Sequence, residues 1–239
     1  MIPFDVLARV PLLPVLLAQA VAVHRNALSL PEPPGARAGT AGKGTPLRLL
    51  IVGDSSAAGV GAPTQDAALS GQLVRALAGH FRVSWRLVAT TGDTTGAVLT
   101  RIPLLEPDPY NIAILALGVN DVTRAVPTRQ WIARQRALHQ LLRDRFSITR
   151  IYASGLPPMG MFPLLPQPLR WILGSQANRL DDALAEIAAQ DKSVCHIPFD
   201  FPHEAKFMAR DGYHPSPVGY AHWADVLKKL ILADWWDLG

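Results

Sequence analysis

The chain has 239 residues, of which 49% are apolar and only 18% charged, against about a quarter charged in an average soluble protein. That balance excludes a disordered polyelectrolyte, and the single cysteine, Cys195, excludes an intramolecular disulfide and a cysteine-rich zinc site. The formal charge of +4 is unevenly placed: residues 1–48 carry five cations against two carboxylates, while the remainder has 18 basic and 17 acidic groups. Phosphate binding needs clustered cations on a folded surface. A near-neutral body argues against nucleic acid as a partner, and the basic stretch 124–150 reads mostly as the solvated face of a helix.

The first 23 residues, MIPFDVLARVPLLPVLLAQAVAV, are strongly apolar. Their uninterrupted part, 10–23, contains Pro11, Pro14 and Gln19 and falls short of the ~20 apolar residues a spanning helix needs. We read residues 1–23 as an amphipathic helix lying on the domain or in peripheral contact with a membrane surface. Arg25, Arg37, Lys43 and Arg48 follow the apolar run, which favours a cytoplasmic body. The alternative is export with residues 1–20 as a signal peptide, because Ala18-Gln19-Ala20 has the small-x-small pattern of a cleavage site. Residues 31–46, PEPPGARAGTAGKGTP, have linker composition. The expected organisation is an arm and linker over 1–46 and one folded domain over 47–239.

From Leu47 onward, short apolar runs alternate with longer amphipathic ones. Residues 47–54, 83–89, 111–118, 148–155 and 193–200 read as five buried strands. Helical stretches are expected near 66–79, 95–105, 128–145, 172–190 and 217–234. In the last of these, Ser216 is placed to cap and Pro217 to occupy the first helical position. Trp223, Val226, Leu227, Leu230 and Ile231 then form one apolar stripe. Strand–helix alternation of this kind predicts a parallel, doubly wound open sheet covered on both faces. Chemistry in such sheets collects at the carboxyl ends of the strands.

The first strand ends in Gly53-Asp54-Ser55-Ser56, the second leads into Thr91-Gly92-Asp93, and the third into Gly118-Val119-Asn120-Asp121. Asp211-Gly212-Tyr213-His214-Pro215 precedes the last helix. A serine hydroxyl is a poor nucleophile unless a base takes its proton. His214 can do so through one ring nitrogen, while Asp211, three residues earlier, orients the other. The Ser55 N–H, the Gly92 N–H and the Asn120 amide could supply an oxyanion hole, where one donor is typically worth ~3–4 kcal/mol.

These blocks, in this order, resemble the SGNH or GDSL hydrolases over roughly residues 47–234. The resemblance implies a flavodoxin-like three-layer α/β/α sandwich and a serine carboxylic ester hydrolase working through an acyl-enzyme without metal or organic cofactor. It implies Ser55 as nucleophile, His214 as base and Asp211 as its orienter, with Ser55, Gly92 and Asn120 forming the oxyanion hole. Ser56 stands where the commonest family pattern has leucine.

Taken singly, Ser55 reads as a turn or cap residue and Asn120-Asp121 as a turn. The joint occurrence at one sheet edge carries the inference. Asp54 and Asp121 are expected to tie loops to backbone amides. The six other histidines (24, 80, 139, 196, 203 and 222) show no metal-ligand spacing, and no G-x-S-x-G elbow occurs. The segment 155–171, GLPPMGMFPLLPQPLRW, has two readings: a proline-stiffened connection, or an acyl-pocket wall built from Met159, Met161, Phe162 and Leu164. Trp235 and Trp236 read as docking aromatics. The substrate expected is a small or lipid-like ester, of the esterase, lysophospholipase or thioesterase type. A glycan O-acetyl esterase and a catalytically inactive acyl- or membrane-binding module are the alternatives.

Overall fold

The fold is that of a computed structural model describing residues 3–199, 201 and 204–238, with side chains described up to Trp235. In chain order it comprises α1 (Phe4–Asn26), β1 (Ala38–Ala41), β2 (Thr45–Gly53), α2 (Ser55–Ala58), α3 (Leu69–Leu77), β3 (Phe81–Ala89) and α4 (Thr95–Arg101). There follow β4 (Ile112–Ala116), α5 (Val119–Thr123), α6 (Thr128–Phe146), β5 (Arg150–Ser154), α7 (Leu169–Gln190), β6 (Val194–Ile197) and α8 (Pro217–Leu238). The strands form one sheet in the order β1-β3-β2-β4-β5-β6. All pairs are parallel except β1 on β3, which is antiparallel from Ala38↔Arg86 to Ala41↔Val83. Asp200, the end of the fifth expected strand, lies outside the described residues, as do His203 and the side chain of Trp236.

The alternation of side chains along each strand builds two cores. Leu47, Leu49 and Ile51 of β2 face one side, against Leu69, Leu73 and Leu77 of α3 and Tyr220, Trp223, Leu227 and Ile231 of α8. Leu50 and Val52 face the other, against Trp131, Leu138 and Leu142 of α6 and Leu180 and Leu184 of α7. The doubly covered parallel sheet is the expected α/β/α sandwich. At the start of α8 the Ser216 hydroxyl accepts the Gly219 N–H at 3.2 Å, and Trp235 meets the Phe81 ring edge-on with centroids 4.7 Å apart.

One expectation is corrected. The sheet has six strands rather than five, because Ala38–Ala41 inside the supposed linker pairs with β3. Its small side chains carry no apolar alternation, and backbone pairing at the edge needs none. The arm is a helix lying on the domain, where Leu16 is buried against Leu169 and Ile172; Asp5 is buried on the same side, while Leu7, Val10, Leu13 and Leu17 are exposed. The central strand β2 is flanked by β3 on one side and β4 on the other, so the winding reverses there and opens a crevice at the carboxyl ends of these strands.

Candidate active site

Gly53 closes β2 because no side chain fits: a Cβ there would lie 2.5 Å from both the Ala116 carbonyl oxygen and the Ala57 Cβ. Asp54 then caps α2, its Oδ1 accepting the Ser56 N–H at 3.0 Å, and Ser55 opens that short helix at the crevice. From the opposite rim, the 209–214 turn brings the base. Ala209 N–H donates to the His214 carbonyl at 2.8 Å and Gly212 N–H to that of Ala209 at 2.9 Å, with Gly212 at φ +69°. Asp211 Oδ1 accepts the Tyr213 and His214 N–H groups at 3.0 and 3.1 Å, which fixes the carboxylate under the histidine. His214 Nδ1 lies 2.6 Å from Asp211 Oδ2, and its Nε2 lies 2.8 Å from Ser55 Oγ.

Asp211 is buried. Burial pushes its carboxyl upward, but the Tyr213 N–H and the contacts with His214 outweigh burial and hold it below the usual carboxylate range. It therefore faces the imidazole as an anion near neutral pH. A hydroxyl, an imidazole and a carboxylate in this chain of contacts can move a proton from Oγ to Nε2 while stabilising the resulting imidazolium.

The expected oxyanion donors converge on the same cavity. Among the described residues no backbone carbonyl accepts the Gly92 or Ser55 N–H. Gly92 adopts φ +85°, a left-handed geometry that aims a backbone N–H where other residues would be strained. The Asn120 amide is more committed: its Nδ2 donates to Asp54 Oδ2 at 3.2 Å and to the Asp93 carbonyl at 3.0 Å. Asp54 is thus more than a loop tie. Burial drives its carboxyl up to about 7, against the opposing hydrogen bond from Ser56. Asp121 accepts the Thr95 N–H and hydroxyl, both at 2.9 Å, and so joins α5 to α4.

The cavity holds about 560 Å³, within the range of small-molecule sites. Ser55, Gly92, Asn120 and His214 occupy one part of its wall, and Leu117, Val119, Leu156, Met159, Phe162 and Leu165 much of the rest. Of the four acyl-pocket candidates, Met159 and Phe162 are buried and line it. Met161 and Leu164 do not: they lie on the outer side of the same segment, 58% and 52% exposed. The tight 3-10 turn Met159–Met161 sends neighbouring side chains to opposite sides. Residues near the end of α1, among them Ala20 and Val23, also line the cavity. They lie some thirty residues before the nucleophile, beyond a proline-rich segment, and nothing in local spacing links them to it. Among the described residues no group of three His, Cys, Asp or Glu side chains is arranged to hold a metal ion.

Residues 51–222 match the model of the GDSL-like lipase/acylhydrolase family. The chain belongs to that family. It is 29% identical over 194 residues to a GDSL-like esterase of Mycobacterium tuberculosis, covering 76% of this chain and 60% of that relative. It thus spans less than two thirds of that protein. An arylesterase of Vibrio mimicus is 26% identical over 186 residues, covering 71% of this chain and 80% of the relative. A psychrotrophic esterase of Pseudoalteromonas sp., solved with monoethylphosphonate as inhibitor, has the same fold at TM-score 0.60 and 19% identity, over 80% of this chain and 98% of its own. The Ser55, Gly92, Asn120 and Asp211–His214 blocks of this GDSL-family chain all lie within the matched residues.

Proposed function

We propose that this GDSL-family chain is a serine carboxylic ester hydrolase that forms an acyl-enzyme on Ser55. The observation that carries this reading is the pair of contacts at 2.6 and 2.8 Å running from Asp211 through His214 to the Ser55 hydroxyl. Ser55 Oγ attacks the ester carbonyl as His214 Nε2 takes its proton, and Asp211 stabilises the imidazolium. The Ser55 and Gly92 N–H groups receive the oxyanion. Both hydrogens of the Asn120 amide already have protein acceptors, so its contribution is a shared third contact. Collapse of the intermediate breaks the ester C–O bond, and His214 returns the proton to the leaving alcohol. Water, activated by the same imidazole, then attacks the acyl-serine and releases the acid.

The cavity wall favours an acyl chain over a sugar. Leu117, Leu156, Met159, Phe162 and Leu165 offer contact area and no hydrogen bonds to hydroxyls. Ser55→Ala should abolish release of p-nitrophenol from p-nitrophenyl butyrate while far-ultraviolet circular dichroism stays unchanged. Retained turnover in a folded Ser55→Ala protein would refute the assignment.

A further inference from the structure

α1 is built inside out. Asp5, Arg9, Leu12, Leu16, Gln19 and Val23 recur at intervals of four and three residues, so they form one stripe along the helix, and this stripe faces the body. Asp5 pairs with Arg179 at 2.5 Å and Arg9 donates to Gln176 at 2.8 Å. Gln19 donates to the Gln167 carbonyl at 2.6 Å and accepts the Leu169 N–H at 3.0 Å. Leu16 is buried with Leu169 and Ile172, and Leu12 and Val23 pack beside them. The polar side chains therefore point inward. The faces turned away carry Leu7, Val10, Leu13, Leu17 and Val21, each more than half exposed. A helix in water has the reverse arrangement. A helix against hydrocarbon has this one, with its polar groups turned toward protein partners.

Three further observations point to a lipid surface over this face. The apolar surface continues past the helix: the Phe4 and Trp171 ring centroids are 5.9 Å apart, and the exposed Leu164 lines a cleft with Ala22, Val23 and Leu28. The helix is 23 residues long and contains an 18-residue stretch of mean hydropathy 2.0, apolar enough for lipid. Its stripe runs antiparallel along α7, from Asp5 at Arg179 to Leu16 at Leu169, and α7 exposes Asp182 and Glu186 to water. A helix docked along that element lies in the plane of the membrane surface rather than across it. Its last turns, at Ala20, Val23 and His24, and Ala27 just beyond them line the cavity that holds Ser55.

We propose that α1 is at once a bilayer contact and a wall of the acyl cavity, so that the substrates are acyl esters residing in a lipid bilayer. This rests on the ester-hydrolase reading and adds the substrate's physical state and the residues that select it. In this arrangement an acyl chain leaving the bilayer passes from a lipid-covered apolar surface to an apolar wall. Val23 of α1, packed against both the main core and the Leu16–Leu169–Ile172 cluster, sets the room available to that chain.

The test uses the full chain, with two substrates: a monoacyl phospholipid carried in phosphatidylcholine vesicles and soluble p-nitrophenyl butyrate. The variant Leu7→Asp/Leu13→Asp/Leu17→Asp should lose co-flotation with the vesicles, and its ratio of vesicle-borne to soluble ester turnover should fall at least tenfold. Val23→Trp should keep co-flotation yet lower kcat/KM for p-nitrophenyl palmitate relative to butyrate at least tenfold. Circular dichroism confirms that each variant is folded; should the triple variant be unfolded, Leu13→Asp alone gives the same readouts. Folded variants with wild-type ratios and wild-type flotation would overturn this inference and leave the ester-hydrolase reading standing. A wild-type protein inert on both substrates would overturn both.

Discussion

Replacing Asp211 by asparagine isolates the electrostatic part of the proposed proton relay. The substitution keeps the shape and leaves Oδ1 to accept the Tyr213 and His214 N–H groups. At the other position a neutral NH2 would face His214 Nδ1, which now lies 2.6 Å from a carboxylate oxygen. Two effects follow. The ring must carry its proton on Nε2, where it cannot accept the serine proton, and the imidazolium loses its counter-charge. Two unit charges at this separation interact by about 6 kcal/mol at an effective dielectric constant of about 20. Solvent reaching the partly open histidine reduces that figure. Since each ~1.4 kcal/mol is a factor of ten in rate, the expected loss is about 10⁴-fold in kcat/KM. The assay is p-nitrophenyl butyrate hydrolysis from pH 6 to 9, with residual activity rising with hydroxide concentration as another base substitutes for His214. Activity within tenfold of wild type, in a folded variant, would refute the reasoning.

Three other outcomes are expected. Ionising Asp54 in its buried site is costly: a carboxyl moved from its ordinary 3.8 to about 7 loses about 4 kcal/mol of folded-state stability once fully charged. Because the folded value is the higher one, this loss begins above pH ~4 and is complete above pH 7. Thermal melting of wild type should therefore decline from pH 5 to 8 more steeply than that of Asp54→Asn, and parallel slopes would contradict this. Gly92→Ala has room, since a Cβ would meet only Arg124 Nη2 at 3.9 Å. The left-handed φ should cost about 1–2 kcal/mol, and kcat should fall at least tenfold as the N–H shifts, read by urea unfolding alongside turnover. Gly174→Ala would place a Cβ 2.6 Å from the Gly160 Cα, forcing α7 away from the turn that carries Met159. A stability loss of about 1–3 kcal/mol should accompany a raised KM for long-chain esters.

What was legible in the sequence follows from what local chemistry specifies. Buried parallel strands such as Leu49–Leu50–Ile51–Val52 are continuous apolar runs, and α6, α7 and α8 repeat apolar residues over several turns. Both patterns survive without knowledge of tertiary contacts. Ser55, Gly92, Asn120, Asp211 and His214 stand out because each follows a strand or a glycine-marked turn. The helices α2 and α5 are too short to show a period, and β1 consists of small residues at an edge. In α1 the stripe at 5, 9, 12, 16, 19 and 23 mixes polar and apolar residues, so apolar periodicity hides the side that faces the protein. Met161 and Leu164 look like Met159 and Phe162 in composition. Only the successive backbone turns over 159–162 and 162–165 decide which of them enter the cavity.

The central claim, an acyl-enzyme on Ser55 formed with His214 as base, is tested most directly by a fluorophosphonate and intact-mass measurement. Incubation of wild type should add one phosphonyl group, and peptide mapping should locate it on Ser55. Ser55→Ala should remain unmodified, and His214→Ala should react at least a hundredfold more slowly. Stoichiometric labelling of another residue, or a folded wild type that stays unlabelled, would contradict the account.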